Sequence, residues 1–363
     1  MNITPYKVQA VAQLLGTTTD SVRRLVDESG IEVARQDHVP KTRIFSVENI
    51  FDLARYRASK KAKDKRGERK QVISTVYAPT SDVGKTTLAG NFASCFALRG
   101  LRTLSIDLDS QANLTLSLGY DSVVTPGEAA EIGMPRSQLV EYHFGNLVPS
   151  WPMGRRTLPE VVKKPYGENG PHLVPADLTL DRLDTVLTYG NLDGKDADLT
   201  IVNLLRDGRA NKDAHFDTSE HDIVLFDAPP SMNRITRGAL LASDFVICPV
   251  SMERYSAKAL SYLSSVLTEM RAQFGRSPEL IIVGNFFDSA HVRVMTQLSM
   301  IMQTYSQSLL RCWVRRSEDF PKALDDVGDV PLVLSKPGCS ATADLMNCAD
   351  ALLTRMGIGQ RSQ

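Results

Sequence analysis

The sequence has no apolar run approaching the roughly 20 residues that a bilayer-spanning helix needs, so no transmembrane segment is expected. The opening residues, Met1-Asn2-Ile3-Thr4-Pro5-Tyr6, lack the basic and apolar regions of a secretory leader. Cys-x-x-Cys pairs are also missing. The five cysteines, Cys95, Cys248, Cys312, Cys339 and Cys348, are scattered, which excludes a zinc ribbon or a disulfide frame and fits reduced cytosolic thiols. There is no net charge either: 42 Lys and Arg cancel 42 Asp and Glu, so total charge selects no partner. What remains is ordinary globular composition, 42% hydrophobic and 23% charged, which rules out a collagen-like or wholly disordered chain. At about 100–200 residues per domain, 363 residues imply two domains.

The charge is unevenly spread. Residues 1–70 hold 15 Lys and Arg against nine Asp and Glu, a net +6 that leaves −6 for the rest. Much of the excess lies between Arg55 and Lys70, where no apolar periodicity runs beyond Ala58 and Ala62. Such a run is a solvated face or, beside a DNA-reading fold, a phosphate contact. A basic linker is placed at residues 58–70, between a unit at 1–57 and a larger domain at 71–363.

Within the small unit, Tyr6, Val8, Val11, Leu14 and Leu15 recur at helical spacing and Gly16 stops the run. A polar turn, Thr17–Asp20, supplies N-caps for a short helix from Ser21 to Asp27, with Val22, Leu25 and Val26 on one side and Arg23 and Arg24 on the other. Two short helices joined by a tight turn have the shape of a helix-turn-helix, whose second helix enters the major groove; a small docking or dimerisation module has the same pattern. Residues Ile31 to Ile44 could form a hairpin or wing with Arg35, His38, Lys41 and Arg43 facing phosphates, and Val47 to Tyr56 a closing helix with Ile50, Leu53 and Ala54 inside. The segment resembles the winged helix-turn-helix of MerR-like regulators and of long plasmid partition ATPases.

The large domain opens with a β-strand pattern, Gln71–Tyr77. Ala78-Pro79-Thr80-Ser81-Asp82-Val83-Gly84-Lys85-Thr86-Thr87 follows, then an apolar helix with Leu88, Phe92, Ala93, Phe96 and Ala97. Strand, tight loop and helix are the setting of a phosphate-binding loop, in which the amides of residues 81–87 and the helix N-terminus face the phosphates. Lys85 would reach the β- and γ-phosphates and the Thr86 hydroxyl would ligate Mg²⁺. Further strands end in carboxylates: Leu101–Ile106 runs into Asp107 and Asp109, and Asp222–Phe226 into Asp227, the position of an acid that holds Mg²⁺ through water. Phe245–Val250 and Leu280–Asn285 add two more strands. Strands alternating with helices imply an α/β fold, a mostly parallel sheet flanked by helices, with ligands at the carboxyl ends of its strands.

These residues together resemble the ParA family of plasmid partition ATPases, within the ParA/MinD group of deviant P-loop NTPases. The likeness runs from about Val72 to Met356. Its most specific parts are Asp107-Leu108-Asp109-Ser110-Gln111-Ala112-Asn113, Phe226-Asp227-Ala228-Pro229-Pro230-Ser231 and Cys248-Pro249-Val250-Ser251-Met252-Glu253. The resemblance implies that Asp109 positions the attacking water, that Asp107 and Asp227 support Mg²⁺, and that Asn285 lies where the family contacts adenine. It places Arg315 and Arg316 near a non-specific DNA-binding surface. It further implies ATP and ADP as ligands and a nucleotide-sandwich homodimer on nucleoid DNA in the cytoplasm. Hydrolysis would be stimulated by a ParB-like partner, and the N-terminal unit would bind an operator to repress its own operon.

The chain departs from the family at the loop. Where the family has its signature lysine followed by two glycines, this sequence has Thr80, Ser81 and Asp82, and the ordinary Walker pattern would need glycine at Pro79. Thr80 cannot carry a lysine's charge to a partner's phosphates, and Asp82 sets a carboxylate beside them. This departure supports a rival reading, a nucleotide-responsive repressor that hydrolyses weakly or not at all. An iron protein of this fold would need paired cluster cysteines, and a MinD-like membrane protein a basic amphipathic C-terminal helix; the polar tail Met356–Gln363 supplies neither. Between Tyr120 and Glu220 the pattern is weak: a short helix at Thr157–Val162, an edge strand at His172–Ala176 and a charged, loop-rich stretch from Asp193 to Asp217. Trp151 and Trp313 are expected to be packing residues.

Overall fold

The computed structural model describes residues 4–37, 41–63, 70–149, 151–189, 195–251, 256–320 and 330–358. His38, the segment 64–69 of the expected linker, Met252 and Glu253 of the family-like stretch, and the last five residues lie outside the described residues. In the small unit, strand β1 (Tyr6–Lys7) leads into helices α1 (Val8–Leu14) and α2 (Thr19–Ser29), and β1 pairs antiparallel with β2 (Ile44–Phe45). The Thr18 hydroxyl caps α2, accepting from the Ser21 amide at 3.2 Å. A bridge between Arg35 and Arg43 folds the stretch before β2 into a hairpin. Helix α3 (Val47–Lys63) buries Ile50, Leu53 and Ala54 as the periodicity predicts, and runs on into the stretch read as linker.

The large domain is built on seven strands: β3 (Val72–Val76), β4 (Thr103–Asp107), β5 (His172–Val174), β6 (Ile223–Asp227), β7 (Phe245–Val250), β8 (Glu279–Phe287) and β9 (Leu309–Arg315). They lie in the order β5-β4-β6-β3-β7-β8-β9, and every pairing is parallel. Strands β3, β4 and β6 are buried along their whole length, as expected of a parallel sheet covered on both faces. Their side chains alternate between two cores. Val72, Val76, Ile223 and Leu225 join helix α4 (Lys85–Leu98) and the last helix, Ser340–Arg355, whereas Ile73, Val224 and Phe226 join residues from the 144–242 region. That region contains helices Asp181–Tyr189 and Lys195–Arg209, so the expectation of a loop-rich stretch from Asp193 to Asp217 is corrected. Arg206, Asp207 and Arg209 lie on the outer side of an amphipathic helix whose Ala197, Ile201, Leu204 and Leu205 are buried, while Asp198 is buried against its neighbours.

The small unit shares a core with α4 rather than hanging from a tether. Val11, Leu14, Phe45, Phe51 and Leu53 belong to the same cluster as Phe92, Phe96 and Leu352. At the C-terminal end of α4, Gly100 has φ +76°, and a Cβ there would stand 2.4 Å from the Ala58 Cβ and 2.7 Å from the Ala54 carbonyl oxygen, so α3 crosses where only glycine fits. Arg55 donates to the Gly100 carbonyl at 2.8 Å, and Arg99 donates to the Leu14 carbonyl at 3.2 Å while gripping Asp350 at 2.7 and 2.8 Å.

Candidate nucleotide-binding site

Order in the sheet decides the site. β3 sits between β6 and β7, so the loop after it emerges beside Asp227 at the carboxyl end of β6 and close to Asp107 on β4. The loop turns through two residues with positive φ, Asp82 at +59° and Gly84 at +78°. Asp tolerates the left-handed region better than most residues, which is why a side chain can stand where the family has glycine. At Gly84 no side chain can: a Cβ would lie 2.3 Å from the Asn285 Nδ2 and 3.3 Å from the Phe286 ring. A cavity of about 730 Å³ opens in front of the loop. Ser81, Asp82, Gly84, Lys85, Thr86, Thr87 and Asp109 line its polar end, and Phe286, Phe320, Val330, Pro331 and Leu332 its apolar end.

The charged groups converge there. Lys85 is buried and its Nζ donates to the Thr80 carbonyl at 2.8 Å. Burial pulls its pKa below the usual lysine value, against the opposing fields of Asp227, Asp109 and Asp82. Asp227 is 1% exposed, and neither carboxylate oxygen makes a hydrogen bond; the Thr86 hydroxyl is near enough to favour the charged form but stands outside bonding geometry. Burial and the neighbouring Asp107 push its pKa well above the ordinary carboxylate range. A buried, unpartnered carboxylate beside a threonine hydroxyl is a group lacking a cation, and the oxygen-only donor set suits Mg²⁺.

Asp107 has a structural part beside the metal-supporting one expected of it. Its Oδ2 accepts from the Thr115 amide at 2.9 Å and the Thr115 hydroxyl at 2.7 Å, and its Oδ1 from the Asp109 amide at 3.1 Å. These bonds fix the turn that presents Asp109 and leave Oδ1 with one acceptor site open. Burial still raises its pKa to about 7. Thr115 was invisible to sequence reasoning, yet its hydroxyl also accepts from the Ala176 amide at 2.9 Å, tying this turn to the end of β5. Asp109 lines the cavity, half-buried, where it can orient a water.

Two other assignments change. Asn285 is 1% exposed and does not line the cavity; its amide donates to the Val83 carbonyl at 2.9 Å, bracing the loop from behind. Its neighbour Phe286 does line the cavity, held at φ +52° with its ring edge-on to Phe320 at 6.5 Å. Such a conformation is strained for an aromatic residue. The Val83 side chain is buried too, so only its backbone can serve a ligand.

The expected DNA contacts are less assembled. Arg23 pairs with Asp20 at 2.7 Å, Arg24 with Glu28 at 3.9 Å and Arg43 with Asp27 at 2.7 Å, all on the surface. Exposed pairs of this kind are worth about 0–1 kcal/mol, so phosphate can displace them. Lys41 is exposed beside them. Arg315 is committed: its guanidinium grips Asp344 at 2.7 and 3.0 Å, and its amide donates to the same carboxylate. Arg316 is exposed, and its amide donates to the Phe287 carbonyl.

A family model described as an AAA domain matches residues 71–280, more than half of the chain. The cell division protein PomZ of Myxococcus xanthus is 26% identical over 357 residues, 98% of this chain and 95% of that protein. The chromosome-partitioning ATPase Soj of Thermus thermophilus is 33% identical over 202 residues, covering 56% of this chain and 63% of Soj. The chain belongs to the ParA family of partition ATPases. Solved structures of the same fold include the ATP complex of Cyanothece McdA, with a TM-score of 0.61 at 17% identity over 82% of this chain and all of that one. A plasmid partition protein of Borrelia burgdorferi bound to AMPPNP gives 0.57 at 18% identity over 79% and 99%. Lys85 is the one cation among the described residues that line the cavity.

Proposed function

We propose that the protein is a Mg²⁺-dependent ATPase that partitions a DNA replicon, with the cavity before β3 as its nucleotide site. The observation that carries this reading is the Asp227 carboxylate, buried without a partner beside Thr86 and behind Lys85. Amides of residues 81–87 and the N-terminus of α4 would bind the phosphates, Lys85 would leave the Thr80 carbonyl for the β- and γ-oxygens, and the base would lie against Phe286 and Phe320. Thr86 and Asp227 would hold Mg²⁺, which when bound neutralises charge developing on the transferred phosphoryl group. Asp109, whose backbone amide donates a hydrogen bond to the Asp107 carboxylate, would orient the attacking water. ATP would favour a homodimer that binds DNA non-specifically, with Arg316 a contact, and a ParB-like partner would stimulate hydrolysis and release. The N-terminal unit would bind an operator as a helix-turn-helix through Arg23, Arg24, Lys41 and Arg43.

The Thr80–Asp82 loop favours a second reading, a repressor that binds nucleotide but turns it over slowly. ATP turnover in the presence of DNA and the cognate centromere-binding protein separates the two. Turnover that Lys85→Ala abolishes supports the partition ATPase; nucleotide binding without turnover under any of these conditions supports the repressor. Equal ATP binding by wild type and Lys85→Ala would refute the site itself.

A further inference from the structure

We infer that Asp82 is a specificity-determining residue that weakens the grip of the loop on polyphosphate and speeds nucleotide release, an inference that rests on the nucleotide-binding reading above. The carboxylate has no structural work to do. It is exposed, no hydrogen bond or ion pair among the described residues holds it, and α4 has no side-chain cap at its start. Its backbone conformation, φ +59°, is one that glycine and asparagine adopt with equal or greater ease, so the turn does not require an acid.

What the acid does is electrostatic. It lines the same end of the cavity as Lys85, Thr86 and Thr87, and its field reaches the Lys85 ammonium, favouring the charged lysine. Asp109 and Asp227 act on that ammonium in the same sense, so one cation faces three carboxylates before any phosphate arrives. A magnesium ion at Thr86 and Asp227 would offset Asp227, but Asp82 lies on the outer rim of the loop and stays as an uncompensated negative charge. Lys85 is the sole positive side chain on the described lining, so no neighbouring group cancels it. A carboxylate about 5–8 Å from a polyphosphate, at the screening of a protein surface, weakens binding by roughly tenfold. The charge acts on the bound state as well as on the approaching polyphosphate, so release is faster and association slower.

Asp82→Asn is the deciding variant, since it keeps the size of the side chain and its tolerance of positive φ while removing the charge; Asp82→Gly checks that no other property of the side chain is responsible. Fluorescent ADP and ATP analogues with Mg²⁺, followed by stopped flow, should show both variants holding nucleotide about tenfold more tightly, through slower release together with faster association. Raising the salt should shrink the gap between Asp82→Asn and wild type. Wild type too weak to measure while Asp82→Asn binds would support the inference more strongly still. Equal dissociation rates for wild type and Asp82→Asn at low salt would overturn it. Failure of wild type and both variants to bind, matching Lys85→Ala, would instead remove the nucleotide site, and the inference with it.

Discussion

Asp227→Asn gives the most direct test of the buried acid pair. Asp107 and Asp227 lie opposite each other in register on adjacent parallel strands and are both essentially inaccessible to water. Two carboxylates so placed cannot both ionise cheaply, and they titrate as a pair. Burial raises Asp107 from 3.8 to about 7, and Asp227 is raised as well. The folded, nucleotide-free protein therefore holds protons that the unfolded chain has already lost. A folded pKa above the unfolded value for an acid means that stability is lost as pH climbs, for Asp107 between about 4 and about 7. For Asp107, at about 1.4 kcal/mol per pH unit, that loss is on the order of 4 kcal/mol. Asp227→Asn removes the mutual repulsion but leaves a buried amide whose nearest polar neighbour is Thr86. About 2–3 kcal/mol should be recovered at pH 8, and less than about 1 kcal/mol at pH 5, where the pair is already largely protonated. The assay is urea denaturation of both proteins, without nucleotide or Mg²⁺, at the two pH values. Comparing the two differences cancels the pH dependence of every other group. A variant less stable than wild type at pH 8, or a stability difference that does not change with pH, would refute the argument. Adding ATP and Mg²⁺ should then raise the melting temperature of wild type but not of Asp227→Asn.

Gly84→Ala should cost about 3 kcal/mol or more in thermal stability and abolish nucleotide binding: the left-handed backbone alone costs alanine about 1–2 kcal/mol, and the new methyl would meet the Asn285 amide at 2.3 Å. A Gly84→Ala protein with wild-type melting temperature and nucleotide affinity would contradict the loop geometry. Asp198 is 2% exposed and joins Arg234 at 2.8 Å and Arg237 at 3.1 Å, clasping helix Lys195–Arg209 to the helix that follows the Asp227 loop. Asp198→Ala should destabilise by about 2–3 kcal/mol in chemical denaturation, less than a fully buried pair because both arginines are partly solvated. Asp198→Asn should recover part of the loss, and equal stability of Asp198→Ala and wild type would show that the clasp contributes nothing.

Much of the sheet was legible in the sequence because a parallel sheet leaves a trace of short continuous apolar runs, two of them ending in carboxylates. Asp107 and Asp227 were placed at strand ends on that basis, and they stand at the last positions of β4 and β6. What each carboxylate does was not legible, since that depends on which lone pairs are already occupied. Thr115 takes up Asp107 from eight residues away, and nothing in the spacing marks it. The same limit explains Asn285. Strand alternation puts a residue on one face or the other, but whether it meets ligand or loop depends on the neighbouring turn, here the Val83 carbonyl. Asp193–Asp217 misled in the opposite way, because its charged residues are frequent enough to hide the helical repeat of the buried ones. Arg315 was placed near a DNA-binding surface by resemblance, and nothing in the sequence marks its pairing with Asp344 on a distant helix.

The joint between the two parts of the chain bears on how they would act together. A flexible basic linker would let the N-terminal unit and the nucleotide loop move independently, with coupling only through effective concentration. The packing favours a different arrangement. Helix α4 begins at Lys85 in the loop and ends against α3, where Gly100 admits the Ala54–Ala58 face and Arg55 and Arg99 reach carbonyls across the joint. At 14 residues the helix is about 20 Å long and buried along most of its length, so its two ends shift together or not at all. Any shift of α4 produced by phosphate on the amides at one end would be felt by α3, and by the helices packed on it, at the other. Energy transmitted this way is limited to the difference in nucleotide affinity between the two positions of α4, whatever the absolute affinity of the loop.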